Sequence, residues 1–260
     1  GQGFYDDTAL GDKYRGSLFM SNWGSRSVSW HPIEPEGAGF SSPAKPFLRA
    51  DGNRRPVSAM ATNRGELIVS LCYMDGNEGS PYRQTDLLRI SPRERKGTTN
   101  FDYSDESLIE ILSAPLQLRA KAHREILRLG GENLEEAAEA FVGTGSDHPA
   151  FSSLIFLAAA HGEAPSVDRI ISLTRENGRA GTLAWRAAAA YPENFSGITH
   201  DRVDSFAAGD HAPAQLAGFL EYLHASNHPI SDPVAELAAH SDPFVRQSAA
   251  ILLARQASDE

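Results

Sequence analysis

The spacing of apolar residues changes once along the chain, near residue 100. Before that point they fall in short apolar or alternating runs, at 17–21, 27–31, 57–61, 67–71 and 86–90, separated by Gly, Asn, Pro and Asp. Alternation puts every second side chain on one face, so these runs predict successive antiparallel strands. Asn63-Arg64-Gly65-Glu66 and Pro35-Glu36-Gly37-Ala38-Gly39 read as turns, and residues 75–82 read as an exposed loop. Residues 91–104 are charged, contain Gly and lack apolar periodicity, which marks them as a boundary.

From residue 105 the period becomes helical. Ser104-Asp105-Glu106 would supply an N-cap and first-turn acids for a helix through Leu108, Ile111 and Leu112. Leu118, Ala122, Ile126 and Leu129 then form one apolar stripe, and a similar Ala-rich helix returns after Asp242-Pro243-Phe244-Val245-Arg246. Helices centred near Arg119, Ser153, Arg186, Phe219 and Arg246 recur at a step of roughly 30 residues. Shorter helices are expected between them, at 134–141, 167–174, 202–207 and 234–239. Pro149, Pro213 and Pro243 suit first helical turns, and Gly130, Gly131, Gly162, Gly178 and Gly181 suit helix ends or turns. About five helix pairs that must stack on one another to bury their small-residue faces predict a right-handed α-solenoid.

The expected fold class is therefore α+β and multidomain, with β structure over 1–100 and an α-helical solenoid over 105–260. The 260 residues suffice for one large domain or two ordinary ones. A net charge of −10 argues against a nucleic-acid partner and against an anionic membrane surface, since both need clustered Lys and Arg. No apolar run approaches the ~20 residues of a membrane span. Cys72 is the only cysteine, so there is no internal disulfide and no Cys-x-x-Cys-His haem motif. The first residue is Gly1 rather than Met, with no signal peptide after it, which fits a mature, processed chain or an excised piece of a longer protein; the resemblance below favours the piece.

Three stretches carry a resemblance. The run from Tyr14-Arg15-Gly16-Ser17-Leu18-Phe19 to Trp23-Gly24 resembles a blade strand of secreted six-bladed propellers related to the glucose/sorbosone dehydrogenases. Arg55-Pro56-Val57 through Gly65-Glu66-Leu67-Ile68-Val69 resembles their next blade, and Leu87-Leu88-Arg89-Ile90-Ser91-Pro92 its closing strand. The helical part resembles HEAT repeats. Large bacterial proteins of this kind place a propeller before HEAT-like repeats and a c-type cytochrome domain after them. The resemblance implies an incomplete antiparallel β-propeller of about one and a half blades followed by HEAT-like helix pairs. It also implies a periplasmic or secreted location. The partners it implies are the remaining blades or another domain, with a cytochrome domain or a carbohydrate as further possibilities.

The same resemblance suggests a quinoprotein-type sugar or alcohol dehydrogenase with pyrroloquinoline quinone (PQQ) and Ca²⁺. A multiply charged quinone needs cations around its carboxylates. The family's lysine falls near Gly24, its first arginine on Asn53 and its second on Arg55, with Arg26 and Arg54 close by as substitutes. The alternative for Arg54 and Arg55 is a solvated turn pairing with Asp51. Trp23 and Trp30 would stack on a sugar or fill the space between blades. Asp6, Asp7 and Asp12 would serve Ca²⁺ or form a solvated acidic loop. His224 and His228, four residues apart, would suit a metal on one helix face unless the helix ends at Asn227 and Pro229; His123, His161 and His240 read as helix-surface or turn residues. No nucleophile elbow or phosphate-binding glycine loop is visible, so no catalytic residue is assigned. The competing reading is a non-catalytic protein- or carbohydrate-binding scaffold.

Overall fold

A computed structural model of the chain describes residues 1–62, 64–73, 85–92, 107–114 and 116–259. The loop expected at 75–82, most of the boundary at 91–104, the cap expected at 104–106, Asn63 and Pro115 lie outside the described residues. The fold class is α+β with antiparallel sheets. The chain divides into two compact units.

The first unit holds most of the β structure and the start of the second helix up to Arg119. Strands β1 (Gln2–Tyr5), β2 (Ser17–Asn22), β3 (Ser27–Pro32) and β6 (Lys45–Arg49) form a four-stranded antiparallel sheet in that order. A separate hairpin of β4 (Glu34–Glu36) and β5 (Gly39–Ser41) is inserted between its last two strands. A second antiparallel sheet runs β7 (Arg54–Ala61), β8 (Leu67–Tyr73), β9 (Thr85–Ile90). All five expected strands are present, and β1, β4, β5 and β6 are additional.

Alternation places Leu67, Val69 and Leu71 of β8 on the buried face, where they meet Tyr5, Phe19, Val28 and Ala59. In β7 the alternation is reset. A register shift between Pro56 and Ser58 leaves Val57 exposed and lets both Pro56 and Ala59 face inward. An aromatic cluster fills the rest: Phe19 meets Phe47 edge-on at 4.8 Å, and Tyr14 meets Trp30 edge-on at 5.1 Å. Trp30 therefore belongs to the packing of the sheets, whereas Trp23 is exposed.

Tyr5 ties this core to two turns. Its hydroxyl donates to the Gly65 carbonyl at 2.9 Å and accepts from the Leu10 N–H at 2.9 Å. Burial, with a smaller contribution from Asp7, pushes its pKa up to about 12, against the hydrogen bond from Leu10. Tyr5→Phe keeps the ring but strands both backbone groups, so a loss of about 1–3 kcal/mol is expected in urea unfolding. An unchanged midpoint would show that water takes both bonds at no cost.

The second unit contains Pro35–Gly39, helix α1 (Leu108–Ile111), α2 (Leu116–Leu129) from Ala120 onward, and eight more helices. These are α3 (Gly131–Gly143), α4 (Phe151–His161), α5 (Ala164–Leu173), α6 (Arg179–Ala190), α7 (His200–Ala207), α8 (Pro213–Ser226), α9 (Asp232–Glu236) and α10 (Pro243–Asp259). Their positions follow the expected ones closely, but the lengths do not alternate at the start, since α3 with 13 residues is longer than α4 with 11. Contacts run α3 to α5 and α7 to α9, and α4 to α6 to α8 to α10, with α3 also meeting α4.

Several local readings are corrected. The cap of α1 is Ser107, whose Oγ accepts from the Ile109 N–H at 3.2 Å, and α1 stops at Ile111. On α2, Leu118, Ala122 and Ile126 are buried but Leu129 is exposed next to Gly130, where the helix has already ended. Pro149 lies before the N-cap of α4, while Pro213 and Pro243 do open α8 and α10. Gly181 lies inside α6, where it permits the close approach of α8. Gly162 ends α4 at φ 78°.

Candidate functional site

The arginines expected to hold an anion lie at one end of the two sheets of the first unit. Residues 23–26 form the turn from β2 to β3. Arg26 sits there in the left-handed region at φ 54°, and its carbonyl accepts from the Ala50 N–H at 2.8 Å. This second contact fastens the turn to the chain leaving β6. The Arg26 guanidinium reaches on to the Gly52 carbonyl at 2.5 Å.

Arg54 and Arg55 open β7 from the other side of the same loop. Arg55 donates to the Trp23 carbonyl at 3.0 Å, and its guanidinium lies 5.6 Å from the centre of the Trp23 ring. The structure thus brings Trp23, Arg26 and Arg55 into one corner. Arg54 is differently placed. It pairs with Asp86 at 2.8 Å and with Asp51 at 3.0 Å, and these two carboxylates, Asp86 first, raise its pKa. Both partners are well exposed, so the pairs are weak and exchangeable.

Two residues of this corner escaped the sequence reading. Arg49 faces Ser27 across the β3–β6 ladder and lines, with Gly24, Arg26 and Asp51, a shallow polar cleft. Asp86 reaches Arg54 because β9 pairs with β8, which no spacing along the chain reveals. A Cβ at Gly24 would meet nothing within 4 Å, so this position is open. Asn53 is exposed between Gly52 and Arg54.

The other candidates are dispersed. Asp6 pairs with Arg119 at 3.0 Å and Arg15 at 3.5 Å, and Asp7 caps the Ala9 N–H at 2.8 Å. Asp12 starts a short 3₁₀ turn. α8 ends at Asn227 in the left-handed region, and His228 turns to the His200 ring at 4.2 Å instead of His224. His123 is half-buried on α2, and burial, then Arg124, lowers its pKa. No group of three or more His, Cys, Asp or Glu poised for a metal occurs among the described residues. No helix among them is long and apolar enough to cross a membrane.

No family model matches the chain, and no curated protein or solved structure matches it either. What the geometry offers chemically is a set of cations around an exposed indole. Arg26 and Arg49 flank an open cleft, Arg55 is clamped on Trp23, and Arg54 is neutralised by two carboxylates.

Proposed function

We propose that this chain is a non-catalytic scaffold segment of an extracytoplasmic propeller protein, with about one and a half propeller-like blades followed by HEAT-like helix pairs that present a surface to a partner domain. The observation that carries this reading is the order of contacts in the second unit from α4 onward, where α4 meets α6, α6 meets α8 and α8 meets α10. Nearest-neighbour stacking of this kind is the property of solenoids. Side chains of one helix pair also bond to the carbonyls of the pair before. Arg169 donates to Thr144 at 2.6 Å, Asn194 to Ala159 at 2.8 Å, Arg202 to Ile171 at 2.7 Å and Gln215 to Glu176 at 2.8 Å.

The blade reading is supported by strand order. A four-stranded antiparallel sheet whose strands follow sequence order is compatible with a propeller blade, with the β4–β5 hairpin as an insertion into it. The first two strands of that sheet pack on β7, the first strand of the next.

A second reading is favoured by the meeting of Arg26, Arg55 and Trp23. Here the segment belongs to a PQQ-dependent sugar dehydrogenase-like protein, the corner takes a carboxylate of the quinone, and the helices position a haem domain. Titration of the chain with PQQ and Ca²⁺, followed by dye reduction with aldoses, separates the two. The scaffold reading expects no saturable change in quinone absorbance and no reduction. Uptake that Arg55→Ala weakens by about tenfold or more, the worth of one charged hydrogen bond, would overturn it in favour of the dehydrogenase.

A further inference from the structure

The second unit contains a cleft of its own. It lies beside α6 and α7 and has a volume of about 460 Å³, within the range of small-molecule sites. Arg175, Arg202, Trp185 and His211 line it, with Thr199 and Ser205 supplying hydroxyls and Asp201 the acidic group.

What distinguishes this cleft is a set of donors without acceptors. The Trp185 side chain is fully buried, yet its Nε1–H has no hydrogen-bond partner. The Arg202 guanidinium donates to the Ile171 carbonyl at 2.7 Å, but its buried Nε–H is unmatched. His211 lies flat on the Phe206 ring at 3.8 Å and bonds to the Phe206 backbone. Buried polar groups are normally satisfied, and a pair of exceptions lining one cleft points to something that satisfies them.

Charge points the same way. Arg175 and Arg202 repel each other across the cleft, which, after burial, lowers the Arg202 pKa. Burial lowers the His211 pKa as well, so that ring is neutral at pH 7. Two guanidinium groups against one carboxylate leave the lining with one net positive charge. An oxyanion between the two guanidinium groups would relieve the repulsion and accept from the guanidinium N–H groups that face the cleft.

We infer that the cleft lined by Arg175, Trp185, Arg202 and His211 is a binding site for a small oxyanion, either the carboxylate of an organic acid or a phosphate. Arg175, exposed at the rim, is the entry cation, and Arg202 with the Trp185 indole forms the floor. This site is independent of the arginine corner in the β structure and of the reading given to it.

The experiment follows the indole N–H signals of the full chain by ¹H–¹⁵N NMR, with Trp185→Phe identifying the Trp185 signal. Inorganic phosphate and citrate are titrated separately at constant ionic strength held with chloride. A saturable shift of the Trp185 signal is expected with at least one of them, and the responding anion assigns the ligand as phosphate or carboxylate. Arg175→Ala should weaken that binding about tenfold or more. Because Arg175 is exposed, this variant keeps its fold, which the remaining spectrum verifies. No saturable shift with either anion, or a shift that Arg175→Ala leaves unchanged, overturns the site.

Discussion

Trp185→Ala is expected to cost about 3–5 kcal/mol, the usual range for removing a large buried aromatic. Trp185 is fully buried on α6 and joins three elements at once. Its ring meets Phe206 of α7 at 4.9 Å, Phe219 of α8 at 5.0 Å and Tyr222 of α8 at 5.5 Å. Few domains hold more than about 5–15 kcal/mol in total, so this one truncation should remove a large part of the margin. Urea unfolding followed by circular dichroism gives the size of the loss. Hydrogen exchange gives its location, and location separates two architectures. In a nearest-neighbour stack, protection falls first in α6, α7 and α8 and persists in α3 and α4. If the second unit has one shared centre, protection falls everywhere together. Trp185→Phe should recover much of the stability, because the indole N–H has no protein partner to lose.

The helices were legible and several strands were not, for reasons that lie in single residues. Each longer helix carries a run of small and aliphatic residues wide enough to bury more than one side, as Leu154, Ile155, Leu157 and Ala158 do on α4. Such runs survive errors of a residue or two. β1 is four residues long, and only Phe4 and Tyr5 in it are large and apolar, so no alternation is visible. β6 contains Pro46, which reads as a breaker; it is tolerated because β6 is the last strand of its sheet and needs donors on one side only. In β7 the shift at Pro56–Ser58 breaks the two-residue period that the reading relied on.

The arginine corner was legible in part for a similar reason. Arg54 and Arg55 adjoin in sequence, and the pairing of Arg54 with Asp51 spans three residues. The Arg55–Trp23 clamp spans two sheets, and resemblance alone had placed both residues in one region. The cleft beside Trp185 left no trace in spacing. Arg175 and His211 sit in separate turns, and Trp185 and Arg202 in separate helices. The signal that finds it is unmatched hydrogen-bonding capacity, which exists only after folding.

Gly181→Ala tests the same region with a sign that helix propensity alone gets wrong. In an exposed helix interior, Gly→Ala gains about 1 kcal/mol. Gly143, the last residue of α3, has nothing within 4 Å of a built Cβ, and there a gain of a fraction of the interior value of about 1 kcal/mol is expected. At Gly181 a Cβ would fall on the Glu176 carbonyl oxygen and the Gln215 side-chain amide. Gln215 is fully buried, and its amide donates to Glu176 at 2.8 Å and Thr174 at 3.2 Å. Displacing it would strand two carbonyls and its own N–H groups, each costing about 1–3 kcal/mol if water cannot follow. Overpacking adds a further cost of about 1–3 kcal/mol. Against a propensity gain of about 1 kcal/mol, a net loss of at least about 3 kcal/mol is expected in urea unfolding if the amide is displaced. Gly218, facing the same seam from α8, has its nearest neighbour, the Thr182 carbonyl, at 3.2 Å, so Gly218→Ala should cost less. Equal gains at Gly143 and Gly181 would mean that α6 and α8 do not approach as closely as Gly181 allows.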